Sequence, residues 1–229
     1  MTKKISSKGR HSTAGFSVIE LVTVMTIAAI LTAIAVPQMI SQRRLTRSTA
    51  VTREIMTQMR YARQLAMSQS GATPTGALRR VAFTFQYDDT AKQINIIGPI
   101  PAGPASLVVG TYPNIPGSRV VATVSLTQGG IAATQIKSGI PTGLPAAPTT
   151  VDGVAGVDLA GGMLNITFQP EGQVVDAVNN PVDRALFIYN NQASQATASA
   201  VTVRGASGRV KIWRYNANAA NTNASTYIE

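Results

Sequence analysis

From Phe16 to Val36 the chain runs for 21 residues with no glycine, no proline and one charge, Glu20. A helix needs ~20 such residues to cross ~30 Å of hydrocarbon, so the pattern predicts a membrane span over 16–36. A cleavable secretory signal is the competing reading, but its apolar core is typically ~7–15 residues and ends at a small-x-small site. Here the run is longer and continues into Pro37 and a polar helical stretch. Pro37 is expected to kink or loosen the helix locally. From Gln38 to Ser70 there is again neither glycine nor proline, so one helix is predicted to continue over 37–70. On it Val51, Ile55, Met59, Ala62 and Ala66 recur at spacings of four, four, three and four, the stripe of a helix that packs against a sheet. Arg53 and Arg60, seven apart, are expected to point away from it, onto a solvated face or toward lipid heads or a neighbouring subunit.

Past Gly71 the texture changes to short strand-like runs separated by Gly, Pro and Asn. Predicted strands are Arg80–Tyr87, Gln93–Gly98, Arg119–Leu126, Leu164–Gln169, Arg184–Tyr189, Ala200–Arg204 and Arg209–Trp213. A long helix followed by antiparallel strands is an α+β arrangement, with a β-rich domain over 71–215. Between Pro99 and Gly162 proline and glycine are so frequent that long surface loops around a few strands are expected. The Asn-rich stretch 216–229 is expected to form a flexible tail. Asp88 and Asp89 fall between two strand-like runs, which favours a hairpin turn over a catalytic carboxylate pair.

Composition narrows the chemistry. The 229 residues carry a formal net charge of +10, and removing Lys3, Lys4, Lys8 and Arg10, which precede the apolar run, leaves +6. There is no cysteine, so disulfides and thiolate metal sites are excluded. His11 is the only histidine and also precedes the run, so the usual general bases and zinc ligands are missing beyond it. The sequence therefore predicts no enzyme, no metal site and no cofactor.

Glu20 is the anomaly. A carboxylate inside a span costs roughly 2.5–3.5 kcal/mol at the bilayer centre and less near an end, and the span offers it no cation. Loop charge does not settle the orientation, because Arg43, Arg44, Arg47 and Arg53 compete with the four leading cations. The residues upstream are informative: a basic leader ends in Gly15, Phe16 follows, and Glu20 comes four residues later. This resembles the prepilin leader of type IV pilins and type II secretion pseudopilins. The resemblance implies that a prepilin peptidase of the inner membrane removes residues 1–15 on the cytoplasmic side, between Gly15 and Phe16, and methylates the new Phe16 amine. It also implies that Glu20 meets the Phe16 amine of a neighbouring subunit, and that everything after the span is periplasmic. The free amine, with an unperturbed pKa near ~7.7–8.0, would supply the cation that Glu20 lacks.

Three further segments resemble the GspH/FimT group of that superfamily. They are Ala62, Arg63 and Ala66 at the helix end, Phe168, Pro170 and Gly172 around a turn, and the hairpin Val201–Tyr215 with Gly205 and Gly208. The likeness covers about the first 70 and the last 70 residues; the Pro/Gly-rich middle departs from the usual pattern. It implies a structural subunit that primes or caps a type IV pilus or a secretion pseudopilus, with other pilins or pseudopilins as partners. A pilin-anchored adhesin, binding through the middle region, is a second reading. DNA is a further partner to weigh, because Arg209, Lys211 and Trp213 alternate onto one strand face, with Arg204 across the turn and Arg214 adjacent. Cations interleaved with an aromatic suit phosphate neutralisation and base stacking.

Overall fold

The computed structural model describes residues 17–68, 70–72, 78–99, 118–127, 133–139, 150–157, 159, 162–176, 179–192, 197–215 and 227–228. The chain divides into two compact units, Met1–Gln42 and Arg43–Glu229. One helix, α1 (Val18–Ser68), contributes to both. In the first unit every described residue is exposed. By length and composition this part of α1 is apolar enough to cross a membrane. Its threonines do not interrupt that character, because Thr23, Thr26 and Thr32 donate their hydroxyls back to the carbonyls of Ile19, Val22 and Ala28 at 2.8, 2.9 and 2.7 Å. Each polar group is thus satisfied within the helix, as a hydrocarbon environment requires. Pro37 lies inside α1, which continues through it.

In the second unit α1 buries Ser48, Val51, Thr52, Ile55, Met59, Ala62, Leu65 and Ala66. All five residues of the predicted stripe are among them. Among the described residues, fourteen short strands accompany the helix. The first half comprises β1 (Ser70–Ala72), β2 (Leu78–Arg80), β3 (Phe83–Asp88), β4 (Gln93–Pro99), β5 (Ser118–Ser125), β6 (Ile136–Ser138) and β7 (Thr150–Val151). The second half comprises β8 (Val154–Ala155), β9 (Met163–Phe168), β10 (Val174–Val175), β11 (Arg184–Asn190), β12 (Ser199–Val203), β13 (Val210–Tyr215) and β14 (Tyr227–Ile228). The strands form two antiparallel five-stranded sheets, ordered β10-β9-β3-β4-β5 and β14-β13-β12-β11-β6, plus the two-stranded pairs β1-β2 and β7-β8. The molecule is an α+β protein with a long N-terminal helix on antiparallel sheets, consistent with a pilin-like layout.

One hydrophobic core joins the helix to both sheets. Ile55 and Met59 of α1, Phe83, Phe85 and Tyr87 of β3, and Leu186 and Val201 of the second sheet all belong to it. β3 is central and buried on both faces. Its outward residues are polar and satisfied across the strands: Gln86 donates to Asn165 at 3.0 Å and accepts from Asn95 at 3.3 Å. A second, smaller cluster lies on the other side of the second sheet, where Val151 meets Phe187, Ala200 and Tyr215.

The hairpin reading of Asp88 and Asp89 matches the structure. The Asp88 carboxylate accepts the amides of Thr90 and Ala91 at 2.8 and 2.9 Å, closing the β3–β4 turn. Asp89 does more, because its carboxylate accepts from Tyr87, Lys92 and Ser138, tying that turn to β6 of the other sheet. Burial alone would raise the Asp89 carboxyl, but the hydrogen bonds from Lys92 and Ser138 and the charge of Lys92 outweigh it and hold it below the usual carboxylate range. Burial and the Asp89 charge push the Tyr87 hydroxyl upward. Because the folded-state value of Asp89 is depressed, its stabilisation is present above the unfolded value of ~3.9 and lost as pH falls through the folded value. Asp89→Asn is expected to cost about 1–2 kcal/mol in urea unfolding at neutral pH and clearly less near pH 3. An equal cost at both pH values would show that the charge on Asp89 does not matter.

Candidate functional site

Three groups of residues were singled out by the sequence. Gly15 and Phe16 of the leader junction lie outside the described residues. Glu20 stands in the first turn of α1, where exposed N–H groups and the helix dipole favour a carboxylate. The backbone there is closed by the Ser17 carbonyl, which accepts the amides of Glu20 and Leu21 at 3.0 and 3.1 Å. Around it Val18, Ile19, Leu21 and Val22 are exposed, and among the described residues no ion pair includes Glu20. A lone carboxylate on an uncovered apolar helix is suited to pairing with a cation from another chain.

Of the candidate nucleic-acid residues, Lys211 and Trp213 share one face of β13 and Arg214 lies on the other. Arg204 is engaged by two carboxylates, Asp152 at 3.0 Å and Asp183 at 2.7 Å, which latch the β7–β8 turn to the second sheet. The Gly205 amide and Arg204 together hold the Asp183 carboxyl below its ordinary value. Trp213 packs against the second cluster and donates its indole N–H to Thr202 at 2.8 Å, while the Lys211 ammonium sits 4.9 Å from its ring centre. Its ring is therefore already occupied by intramolecular contacts. Arg214 falls on the opposite face of β13, in a groove beside Arg53 and Leu45. Arg209, just before β13, is exposed. Arg60, expected to point away from the sheet, instead donates to the Val210 carbonyl at 3.3 Å, though it is otherwise exposed. In the expected tail, Tyr227 and Ile228 pair with Tyr215 and Arg214 as an edge strand.

The three segments of the GspH/FimT resemblance, by contrast, meet at one point. Arg63 of α1 donates from Nε to the Gly172 carbonyl at 3.3 Å and from Nη2 to the Ser207 carbonyl at 2.9 Å. It thereby clamps the turn after β9 to the turn between β12 and β13. Gly172 and Gly208 both adopt left-handed backbone, with φ of 83° and 60°. A Cβ on Gly208 would lie 1.8 Å from the Gly172 carbonyl oxygen. The two turns touch so closely that only glycine fits. Sequence reasoning named these residues but gave Arg63 no role. The signal was its place on the wheel: four residues after Met59, it lies about 40° from the apolar stripe, so its guanidinium needs acceptors within the fold. Also missed was the β7–β8 hairpin, whose Asp152-Gly153 turn has φ of 54° and 72° and is the two-residue sequence such hairpins favour.

Compared with protein-family models, curated proteins and solved structures, the chain finds no match in any of the three.

Proposed function

We propose that the chain is a non-enzymatic structural subunit, a minor pilin or pseudopilin, that primes or caps a filament assembled from the inner membrane, with its β-rich unit in the periplasm. The observation that carries this reading is Glu20: a single carboxylate in the first turn of an exposed apolar helix that continues into an α+β unit. An anchor needs the apolar segment but gains nothing from the charge. A filament subunit uses both, because the segment leaves lipid to pack against other subunits and the carboxylate fixes register through the Phe16 amine of its neighbour. The prepilin-like junction at Gly15 and Phe16 supports the same reading.

The DNA-binding alternative has less support, since Arg204 and Trp213 are engaged inside the fold and Arg214 lies on the other strand face. The adhesin alternative rests on the Pro/Gly-rich middle, of which 100–117, 128–132, 140–149, 158 and 160–161 lie outside the described residues.

Mass spectrometry of the membrane-extracted protein from cells that contain a prepilin peptidase tests the proposal. The expected mass lacks residues 1–15 and carries one methyl group on Phe16. An intact N-terminus in such cells, or cleavage elsewhere, would overturn the reading.

A further inference from the structure

In the unit beginning at Arg43, a groove of about 300 Å³ runs between α1 and the β12–β13 strands. Leu45 and Ile212 give it apolar walls, Thr49 and Ser199 add hydroxyls, and Arg53 and Arg214, both exposed, are the only charged residues of its lining. We infer that this groove binds the headgroup of an anionic phospholipid, the phosphate between Arg53 and Arg214 and the adjoining glycerol and acyl carbons against Leu45 and Ile212. The inference rests on the reading that 16–36 spans a membrane.

Two arginines that form no ion pair with a carboxylate among the described residues call for an anion, and guanidinium groups match phosphate oxygens in a bidentate fashion. The walls decide which anion. A free phosphate gains nothing from apolar walls, and a duplex backbone meets protruding cations rather than a recess beside a helix. An amphiphile uses both halves of the groove. Connectivity brings one to it, since Leu45 follows the end of the apolar run at Val36 by nine residues. The same stretch is uniformly basic: from Gln38 to Arg53 there is no acidic residue, while Arg43, Arg44 and Arg47 accompany Arg53. At 100° per residue those three arginines lie about 160–260° around the helix from Leu45, so a headgroup layer would meet positive charge on more than one side of α1. A lipid held this way must be released when the subunit leaves the membrane for a filament, so anionic lipid content would set part of the barrier to extraction.

The test uses the full chain in phosphatidylcholine vesicles with trace spin-labelled phosphatidylglycerol or spin-labelled phosphatidylcholine, comparing the immobilised fraction of each by electron paramagnetic resonance. A preference for phosphatidylglycerol of at least about fivefold is expected, the effect of one cation at a membrane surface. Arg53→Gln with Arg214→Gln should reduce that preference about fivefold or more, whereas Arg209→Gln, which removes an exposed cation elsewhere, should leave it nearly unchanged. Thr49→Trp fills the groove without altering charge and should also reduce the preference. If Arg209→Gln acts as strongly as the double variant, or Thr49→Trp has no effect, the selectivity is a bulk-charge property and the inference fails. Displacement of the labelled lipid by a short DNA duplex from the wild-type chain, absent in the double variant, would reassign the groove to nucleic acid. Flotation separates the two levels: a chain that floats with the vesicles but shows no lipid preference overturns this inference alone, and one that does not float overturns the membrane reading and the inference together.

Discussion

Gly208→Ala is expected to lower the stability of the β-rich unit by roughly 3–5 kcal/mol, a large share of what a domain of this size has. Two costs combine. Gly208 sits at φ 60°, where a Cβ is strained, and that Cβ would lie 1.8 Å from the Gly172 carbonyl oxygen and 2.8 Å from Nε of Arg63. The Gly172 carbonyl is backbone and cannot retreat cheaply. The Gly208 amide donates to the Arg204 carbonyl at 2.7 Å, fixing one turn, and the Gly172 amide donates to the Gln169 carbonyl at 2.8 Å, fixing the other. Gly153 provides the control. It has a similar φ of 72° in the β7–β8 turn, but a Cβ there meets nothing within 4 Å. Gly153→Ala should therefore cost only the backbone strain, about 1 kcal/mol. Urea unfolding of the two variants, followed through Trp213, distinguishes strain from collision. If Gly208→Ala cost no more than Gly153→Ala, the contact between the turns would not be what demands glycine.

How much of this was legible depended on the range of the signal. Local periodicity was enough for α1, whose end at Ser68 lies within two residues of the expected one. It was also enough for the seven long strands, because each carries its own alternation or apolar run. Failures came where structure is made by partners distant in sequence. β10 is two residues long and exists because Val174 and Val175 pair with Phe168 and Thr167. β6 is placed by β11, some fifty residues later, and β14 by β13. The division into two sheets was equally invisible, since alternation says which residues face inward but not which strands are neighbours. At the candidate site the same limit applied. Charge and spacing picked out Arg204, but its partners Asp152 and Asp183 come from separate segments, and only the fold shows that its charge is already matched. Arg53 and Arg214 are far apart in sequence, and only the packing of α1 beside β13 brings them to one groove.

Glu20→Ala is expected to leave membrane association and leader removal intact while reducing incorporation into filaments on the order of a hundredfold, the equivalent of the roughly 3 kcal/mol that an unpartnered buried charge costs. Association depends on the apolar length from Phe16 to Val36, which the substitution makes more apolar. Removal of residues 1–15 depends, on the prepilin reading, on the junction at Gly15 and Phe16. Incorporation depends on what happens when α1 leaves lipid for the packed interior of a filament. On the filament reading, the Phe16 amine of a neighbour is withdrawn from water there whether or not Glu20 is present, and a buried charge that has lost its partner is strongly destabilising. Glu20→Gln refines the argument: it keeps a hydrogen-bond acceptor but not the charge, so it should fall between the wild type and Ala. Glu20→Asp keeps the charge but shortens the reach by one carbon, and should recover more incorporation than Gln if charge rather than hydrogen bonding governs the pairing. The readout is the ratio of filament-associated to membrane-retained chain at equal expression, with cleavage checked by intact mass. Wild-type incorporation of the Ala variant would remove the proposed role of Glu20, and loss of membrane association would assign the residue to anchoring rather than assembly.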